Sequence, residues 1–219
     1  MPRLPRLVAS AAVGYLVGTI PSADVVTRVA TGGRVNIRQA GTGNPGAANV
    51  AGVLGKKWGA VVLVADLAKG FGAAKLGCRL AAAPGLHTAG PAAVAGHCFP
   101  VFERFDGGKG VATSVGQMLA SAPLYFPIDA SVGFIASRLP FFERRAFAAT
   151  EIASATWVAC SLLWWKRRWP NPGAPPTTVG LPLAAAASSL IIRYRFMQTN
   201  ARVDAWREHA GEEATQSPG

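Results

Sequence analysis

The sequence predicts an all-α integral membrane protein, a polytopic bundle of five to seven transmembrane helices with cytoplasmic glycine-rich loops. Two observations predict this class. Half of the 219 residues are hydrophobic and 15% are charged, against about 25% charged residues in an average soluble domain. The charged residues lie mostly at the edges of long windows that are apolar all round, whereas a soluble amphipathic helix carries its apolar residues along one stripe. Membrane lipids are therefore a predicted partner.

Six apolar windows account for the predicted helices, because a helix needs about 20 mostly apolar residues to cross about 30 Å of hydrocarbon. In chain order the windows cover residues 7–23, 58–78, 80–102, 110–128, 146–165 and 169–192. The second window contains three charged residues and the fifth contains Glu151. The number of spans depends on whether residues 110–137 cross once or are broken near Pro123 and Pro127.

The composition also excludes other classes. The apolar content excludes disorder. A net charge of +11 is typical of a nucleic-acid-binding protein only when the cations form a patch on a polar face. Here they lie at the edges of apolar windows, so no nucleic acid partner is expected. The three cysteines are scattered in apolar segments, and the sequence implies no metal and no cofactor. Residues 7–20 follow two arginines as in a signal peptide, but no small-residue cleavage site follows them, and they are interpreted as the first span.

The distribution of positive charge predicts the topology. Residues 25–57 contain five basic residues and no acidic one, and loops rich in Lys and Arg face the cytoplasm. The N-terminus is then outside, although two N-terminal arginines argue for the reverse, and residues 103–109 return to the cytoplasm. We divide the chain into one transmembrane domain, residues 1–198, and a polar C-terminal tail, residues 199–219.

The first chemically informative stretch is the glycine-rich loop of residues 36–49. Its Gly41-x-Gly43-x-x-Gly46 spacing matches a dinucleotide fingerprint formally, but the preceding segment is polar and lacks the hydrophobic strand that the motif requires. Glycines do let backbone amides approach an anion closely, and the loop adds side-chain donors. The candidate phosphate-binding residues are Arg38, Thr42, Gly43, Asn44 and Asn49. The alternative is a turn between two helices that needs Gly and Asn for conformational reasons.

A second candidate phosphate site is formed by Gly107, Gly108, Lys109 and Gly110, at the start of the fourth apolar window. Anions bind well where a helix N-terminus, free amides and a lysine converge. The spacing is not that of a Walker A loop, because Glu103 stands where that loop requires its first glycine. The alternative is a tight interhelical turn.

Three further polar residues lie inside the apolar windows. Asp66 and Lys69 are three residues apart and share one helix face, and charged residues inside a span are costly, usually paired and often functional. The alternative is a purely structural ion pair between spans. His97 lies at the end of its window beside the second glycine-rich loop, which suggests a role in a site, while the usual role of a lone histidine is structural.

Four motifs occur in order within about residues 10–125. They are Gly18-Thr-Ile-Pro-Ser22, Gly41-Thr-Gly-Asn-Pro-Gly-Ala-Ala-Asn49, Asp66-Leu-Ala-Lys-Gly70, and Gly96-His97 followed by Gly107-Gly-Lys-Gly-Val-Ala-Thr113. Together they resemble the acyl-phosphate-dependent glycerol-3-phosphate acyltransferases of bacterial membranes, the PlsY type.

The resemblance implies a reaction and a location. The acyl chain of a fatty acyl phosphate moves to the 1-hydroxyl of glycerol 3-phosphate, giving 1-acylglycerol 3-phosphate (lysophosphatidate) and phosphate, the first step of phospholipid synthesis. The implied ligands are fatty acyl phosphate and glycerol 3-phosphate, and the enzyme that produces the acyl phosphate is an implied partner. The implied location is the bacterial inner (cytoplasmic) membrane, with several spans and the active site facing the cytoplasm or the inner leaflet.

The implied reaction gives the candidate residues their roles. The candidate catalytic residues are Arg38, Lys69, His97 and Lys109. The candidate substrate-binding residues are Ser22, Thr42, Gly43, Asn44, Asn49, Asp66, Gly107, Gly108 and Gly110. An acyl phosphate is already an activated anhydride, so direct transfer is expected, with charge stabilisation and orientation as the enzyme's contribution. Two alternatives stay open here: which loop holds which substrate, and whether His97 or a phosphate oxygen accepts the proton.

The chain departs from the family pattern at its C-terminal end. The family's third motif, roughly His-Arg-x-Asn-Ile-x-Arg-Leu-x-x-Gly-x-Glu, is not matched by residues 193–204, where Arg195, Asn200 and Arg202 are the nearest equivalents. A second interpretation is therefore a weakened or non-catalytic relative that binds acyl or lipid phosphate. A third is an anion transporter.

Overall fold

The computed structural model describes residues 4–140, 142 and 144–216, with side chains described as far as Ala201. All regular secondary structure of these residues is helical. The helices are α1 (Leu4–Gly18), α2 (Ser22–Thr31), α3 (Ala47–Leu54), α4 (Lys56–Cys98), α5 (Val111–Ser121), α6 (Phe126–Arg138), α7 (Arg145–Arg167) and α8 (Gly180–Gln216). Short 3₁₀ turns cover Ile37–Gln39, Val101–Glu103 and Pro123–Tyr125. The predicted all-α class is confirmed.

Helix α4 consists of two antiparallel segments joined by a sharp break. The backbone leaves the helical region at Ala81 and Ala82, and Ala82 has a φ of 52°. The two segments then pack closely, since a Cβ atom built on Gly77 would lie 2.3 Å from the Gly85 carbonyl oxygen. Pro84 lies near the start of the second segment, where its missing N–H costs little. The adjacent windows 58–78 and 80–102 therefore form a helical hairpin.

The sequence left open whether residues 110–137 cross the membrane once or are broken into two helices. In the structure this segment is broken. Helix α5 ends at Ser121 and the 3₁₀ turn Pro123–Tyr125 leads directly into α6. The two helices have 11 and 13 residues, so each is short for a complete span at 1.5 Å per residue.

Small residues bring the helix backbones together. A Cβ on Gly18 of α1 would lie 2.1 Å from the carbonyl oxygen of Ala93 in α4, and a Cβ on Gly70 of α4 would lie 1.9 Å from that of Thr113 in α5. Close backbone approach through small residues is typical of helix packing in membranes, where lipid is as apolar as the side chains and little hydrophobic driving force remains.

The helices run between two ends of the bundle. At one end, called the loop end, lie the loops of residues 32–46 and 99–110, and there Phe147 of α7 packs against Phe196 of α8. At the other end Asn171, in the connection from α7 to α8, donates to the carbonyl of Ser121 at the end of α5. Within the described residues, α1, the two segments of α4, and α5 to α8 make seven passes between these ends.

Two helical segments of the described part are long and apolar enough to qualify as spans by themselves. They are Leu4–Thr31, which comprises α1 and α2, and Arg145–Arg167, which is α7. The other passes are short or contain charged residues. Helix α8 continues to Gln216, so the polar residues after position 198 extend the last pass along the same axis.

Candidate active site

A cleft opens at the loop end of the bundle, where the two glycine-rich loops meet. Arg38 of the first loop donates through Nη1 to the backbone carbonyl of Asp106 in the second. The space between the walls of the cleft, including the part open to solvent, is about 260 Å³. Its polar and glycine lining includes Ser22, Asp24, Arg38, Asp66, Lys69, His97, Gly107 and Gly108. Seven of the thirteen predicted site residues thus line one cleft.

A buried ion pair forms the floor of this cleft. Lys69 Nζ lies 2.9 Å from Asp66 Oδ1, and the two side chains are only 6% and 4% exposed. The ammonium also donates to the Ile20 carbonyl at 3.0 Å and to Ser22 Oγ at 3.4 Å. Three acceptors therefore surround one ammonium, which has three protons to donate. The pair shares one face of α4, as the spacing predicted, and it also ties α4 to the break between α1 and α2.

His97 connects the ion pair to the second loop. Its Nδ1 lies 3.6 Å from Asp66 Oδ1. On the other side of the ring, a Cβ built on Gly108 would lie 2.3 Å from His97 Nε2, so any other residue at position 108 would collide with the imidazole. The histidine is thus held between a carboxylate and a glycine backbone at the wall of the cleft.

The amides of Gly107 and Gly108 point at the protein and not into the cleft. They donate to the carbonyls of Cys98 and His97, each at 3.1 Å. A Cβ on Gly107 would lie 2.0 Å from the His97 carbonyl oxygen, so a side chain at position 107 would collide with the backbone of α4. These two amides are therefore engaged within the protein and are not free to bind an anion. The glycines allow the loop to fold back onto the end of α4 and expose backbone to the cleft.

Lys109 and Gly110 lie outside the cleft lining. Lys109 Nζ is 4.4 Å from the ring centroid of Phe196 on α8, a cation–π contact. Burial, and then the positive charge of Arg195, lower the pKa of Lys109. Three glycines flank Lys109 in the sequence, and its packing partner comes from α8, which supplies an aromatic face. Gly110 is the residue before α5 and has a φ of 81°, a left-handed conformation that favours glycine.

Arg38 enters the cleft already paired. Its Nε and Nη2 donate to the two carboxylate oxygens of Asp24, each at 2.9 Å, and Nη2 lies 3.6 Å from Glu103 Oε2. Partial burial lowers the pKa of Arg38, but the hydrogen bond to Asp24 and the carboxylates of Asp24, Glu103 and Asp106 together raise it. Asp24 is a site residue that sequence reasoning missed. Its only signal was an acidic residue two positions after the motif that ends at Ser22.

The remaining predicted residues of the first loop shape it and do not line the cleft. The buried side chain of Asn49 accepts from the Thr42 amide at 2.8 Å and donates to the carbonyls of Ile37 and Ala40 at 3.2 and 3.0 Å. This amide fastens the 3₁₀ turn that carries Arg38 to the start of α3. The residues outside the lining are Thr42, Gly43, Asn44 and Asn49.

Helix α8 contributes one buried cation next to the cleft. Arg195 is 3% exposed and donates through Nη2 to Asp106 Oδ1 and to the Gly107 carbonyl, both at 2.6 Å. It thereby clamps the second loop from the C-terminal region, where the family's third motif is unmatched. Asn200 lies one and a half turns beyond it on α8, and the side chain of Arg202 lies outside the described residues.

The described residues contain no group of three or more His, Cys, Asp and Glu side chains that could hold a metal ion. The chemistry that this cleft offers comes from two cations, a histidine and the hydroxyls of Thr19 and Ser22. Such a set can neutralise phosphate, orient a hydroxyl group and accept a proton.

The chain is similar to known acyltransferases over most of its length. Residues 8–204 match the model of the glycerol-3-phosphate acyltransferase family. The glycerol-3-phosphate acyltransferase of Exiguobacterium sibiricum is 49% identical over 113 residues, 52% of this chain and 54% of that protein. That of Bacillus velezensis is 47% identical over 121 residues, 55% and 62% of the two chains. These two alignments thus cover between about half and two thirds of the relatives' own lengths. That of Sinorhizobium fredii is 41% identical over 150 residues, 68% and 72%.

Two solved structures share the fold. They are crystal structures of PlsY, an integral membrane glycerol 3-phosphate acyltransferase, in a glycerol 3-phosphate form and a lysophosphatidic acid form. Each matches with a TM-score of 0.68 at 29% and 28% identity, and each alignment covers 92% of this chain and 93% of the other. The chain therefore belongs to the glycerol-3-phosphate acyltransferase family and has the all-helical fold of an integral membrane member.

Proposed function

We propose that the protein transfers the acyl group of a fatty acyl phosphate to the 1-hydroxyl of glycerol 3-phosphate, giving 1-acylglycerol 3-phosphate and inorganic phosphate. One observation carries the proposal: Arg38, Lys69 and His97 meet in a single cleft of a chain whose fold matches an enzyme crystallised in a glycerol 3-phosphate form. The acyl phosphate as donor is the step that rests on the likeness to PlsY.

The reaction requires one displacement at the acyl carbon. The hydroxyl oxygen of glycerol 3-phosphate forms the new C–O bond, the bond between the acyl carbon and the phosphate oxygen breaks, and phosphate leaves with the electron pair. Because the donor is an anhydride with a good leaving group, the protein's contribution is to orient the hydroxyl and stabilise developing negative charge. Lys69 and Arg38 supply that charge, and Asp66 holds Lys69 in place.

The hydroxyl proton passes to His97 in this proposal, with a phosphate oxygen of the substrate as the alternative acceptor. His97→Gln separates the two routes. Loss of a general base lowers turnover by about 10²- to 10⁴-fold, whereas turnover within a few fold of wild type would assign the proton to the substrate phosphate. The unfolding temperature of the variant serves as the control for structural damage.

We further propose that the loop end faces the cytoplasm at the bacterial inner membrane. The support is charge: residues 25–57 contain five basic and no acidic residues, and the loop end also carries Arg144, Arg145 and Arg193. The placement gives the cleft access to soluble glycerol 3-phosphate and to the fatty chain of a donor in the inner leaflet, delivered by the enzyme that produces the acyl phosphate.

Cysteine labelling tests this orientation. In a variant without the three native cysteines, Asn44→Cys should resist an impermeant reagent in intact cells, because it lies at the loop end. Pro172→Cys, an exposed position at the opposite end, is the matched control and should be labelled. Labelling at position 44 and protection at position 172 would reverse the proposed orientation.

Phosphate release tests the reaction. Purified protein with palmitoyl phosphate and glycerol 3-phosphate should release phosphate and form lysophosphatidate, and omission of either substrate or replacement of the donor by palmitoyl coenzyme A should abolish the product. Lys69→Met should lower turnover by at least tenfold, because the variant loses a fixed positive charge that stabilises the negative charge developing in the transition state. Folded protein that gives no product from either donor would refute the proposed reaction.

A second candidate function is phosphate binding without turnover. It is favoured by one observation, that the third family motif is unmatched while Arg195 of the same stretch is used to clamp the second loop. Binding of glycerol 3-phosphate by the folded protein without any product from acyl phosphate would establish this alternative.

A further inference from the structure

Arg38 is surrounded by acidic groups to an unusual degree for a residue expected to bind phosphate. Both oxygens of the Asp24 carboxylate accept from its Nε and Nη2 edge at 2.9 Å. The Glu103 carboxylate lies 3.6 Å from Nη2, and Nη1 donates to the Asp106 carbonyl. Every edge of the guanidinium thus faces a protein acceptor.

The Nε and Nη2 edge is one that a phosphate would use. Arginine binds carboxylate and phosphate through the same planar fork, with two parallel N–H donors and two oxygen acceptors. The Asp24 carboxylate has this bidentate geometry and therefore stands where two phosphate oxygens would bind. The Asp106 carbonyl is bound by Nη1, outside this edge, and the Glu103 carboxylate approaches Nη2 only to 3.6 Å, so the hydrogen bonds of the edge go to Asp24.

We propose that Asp24 is a specificity-determining residue that competes with the phosphate of glycerol 3-phosphate for Arg38. This inference rests on the proposed function and extends it to a residue that neither the motifs nor the family likeness singled out. The competitor favours a dianionic phosphate ester over weaker anions, because only a ligand with two charged oxygens and more than one negative charge can displace the bidentate carboxylate efficiently. It also keeps the affinity for glycerol 3-phosphate below what Arg38 alone would give.

The two ion pairs of the cleft differ in the solvent exposure of their side chains. The side chains of Arg38 and Asp24 are 22% and 28% exposed, whereas those of Lys69 and Asp66 are 6% and 4% exposed. A partly exposed pair contributes little to stability and can exchange partners with an incoming ligand, while breaking the buried pair would leave an uncompensated charge. The exchangeable partner is therefore Asp24, and the fixed one is Asp66.

Arg38 stays in place when Asp24 is neutralised. Its Nη1 bond to the Asp106 carbonyl and the nearby Glu103 carboxylate remain, and Asn49 still fastens the 3₁₀ turn that carries it. Asp24→Asn should therefore weaken the hold on the Nε and Nη2 edge without disordering the arginine, because one neutral amide oxygen replaces two carboxylate oxygens. We expect glycerol 3-phosphate to bind about tenfold more tightly, which corresponds to about 1.4 kcal/mol.

The experiment measures binding and turnover in parallel. Calorimetric titration of wild type and Asp24→Asn with glycerol 3-phosphate and with inorganic phosphate should show tighter binding by the variant, and KM for glycerol 3-phosphate should fall in the acyl transfer assay. Glycerol is the uncharged probe and should bind equally to both proteins. Glu151→Gln, which removes a carboxylate paired with Arg193, is the matched control and should not change the affinity. In an Arg38→Ala background, Asp24→Asn should change the affinity much less, as expected for coupled residues.

The outcomes distinguish this proposal from the proposed reaction. With normal acyl transfer by the wild type, unchanged phosphate binding by Asp24→Asn would refute the competing role of Asp24. Weaker binding would refute it as well and would assign Asp24 to positioning Arg38. Tighter binding by the variant without product from either protein would retain competition at Arg38 and refute the reaction. Absence of phosphate binding by both proteins would refute both proposals.

Discussion

Replacing Gly70 by alanine should destabilise the protein through one backbone contact between α4 and α5. A Cβ at position 70 would lie 1.9 Å from the Thr113 carbonyl oxygen and 2.8 Å from its carbonyl carbon, about 1.5 Å short of an ordinary contact. The obstacle is helix backbone and cannot rotate away. The two helices would have to separate, and overpacking of this kind costs about 1–3 kcal/mol in a well-packed interior. We expect a loss of at least about 2 kcal/mol.

Gly72 provides a matched control on the same helix. A Cβ there would meet nothing within 4 Å, and alanine is favoured over glycine in a helix interior by about 1 kcal/mol. Gly72→Ala should therefore leave the stability unchanged or raise it by up to about 1 kcal/mol. The assay is thermal unfolding of both variants and the wild type in the same detergent, followed by a fluorescent thiol probe or by intrinsic tryptophan fluorescence.

The same displacement should reach the active site. Helix α5 begins directly after Gly110, and the loop before it packs Gly108 against His97, so separation of α4 and α5 should also lower acyl transfer by Gly70→Ala at a temperature where the variant is folded. Equal unfolding temperatures for the alanine variants at positions 70 and 72 would refute the close crossing and the reasoning that follows from it.

Three further perturbations test the site. Asp66→Asn and Lys69→Met should each cost about 3–5 kcal/mol in a denaturation assay, because each leaves a buried charge unpaired; the double variant should regain much of the stability but not acyl transfer. Arg195→Gln should lower turnover about tenfold or more through loss of its charged hydrogen bond to Asp106, with a smaller change in unfolding temperature; unchanged turnover would remove Arg195 from loop positioning. Cys98→Ala should keep most of the acyl transfer activity, since direct transfer needs no thiol, and an acyl label on denatured wild type that the variant lacks would contradict direct transfer.

The helices could be predicted because membrane spans leave a local signal. Each of the six apolar windows corresponds to one pass of the bundle, and even the adjacent windows 58–78 and 80–102 separate the two segments of α4 correctly. The seventh pass, α6, has no window of its own. The break of residues 110–137 could only be stated as an alternative, because a proline near the middle of an apolar window is compatible with a kinked span as well as with two short helices. The short 3₁₀ turn Pro123–Tyr125 depends on packing that periodicity does not show.

The site could be predicted only where partners are close in sequence. Asp66 and Lys69 share a helix face by spacing alone, and His97 was placed beside the second glycine-rich loop by adjacency. The pairing of Arg38 with Asp24 joins residues 14 positions apart on different elements, and no spacing rule relates them. Lys109 was predicted to bind phosphate because it stands among glycines at the start of an apolar window. Its contact with Phe196, 87 positions further along the chain, has no local signal.

The two cations of the cleft have different parts in the proposed reaction because their carboxylate partners differ in accessibility. Lys69 has three acceptors around its ammonium in a nearly closed environment, so its charge acts on the cleft as a fixed, preorganised field, which stabilises a transition state without reorganisation. Arg38 is held by a partly exposed carboxylate and can change partner when phosphate enters. Each cation is thus matched by a carboxylate before the substrate binds, and an incoming phosphate has to displace Asp24 from Arg38. A buried fixed charge and an exchangeable surface charge thus let one small cleft combine transition-state stabilisation with reversible substrate binding.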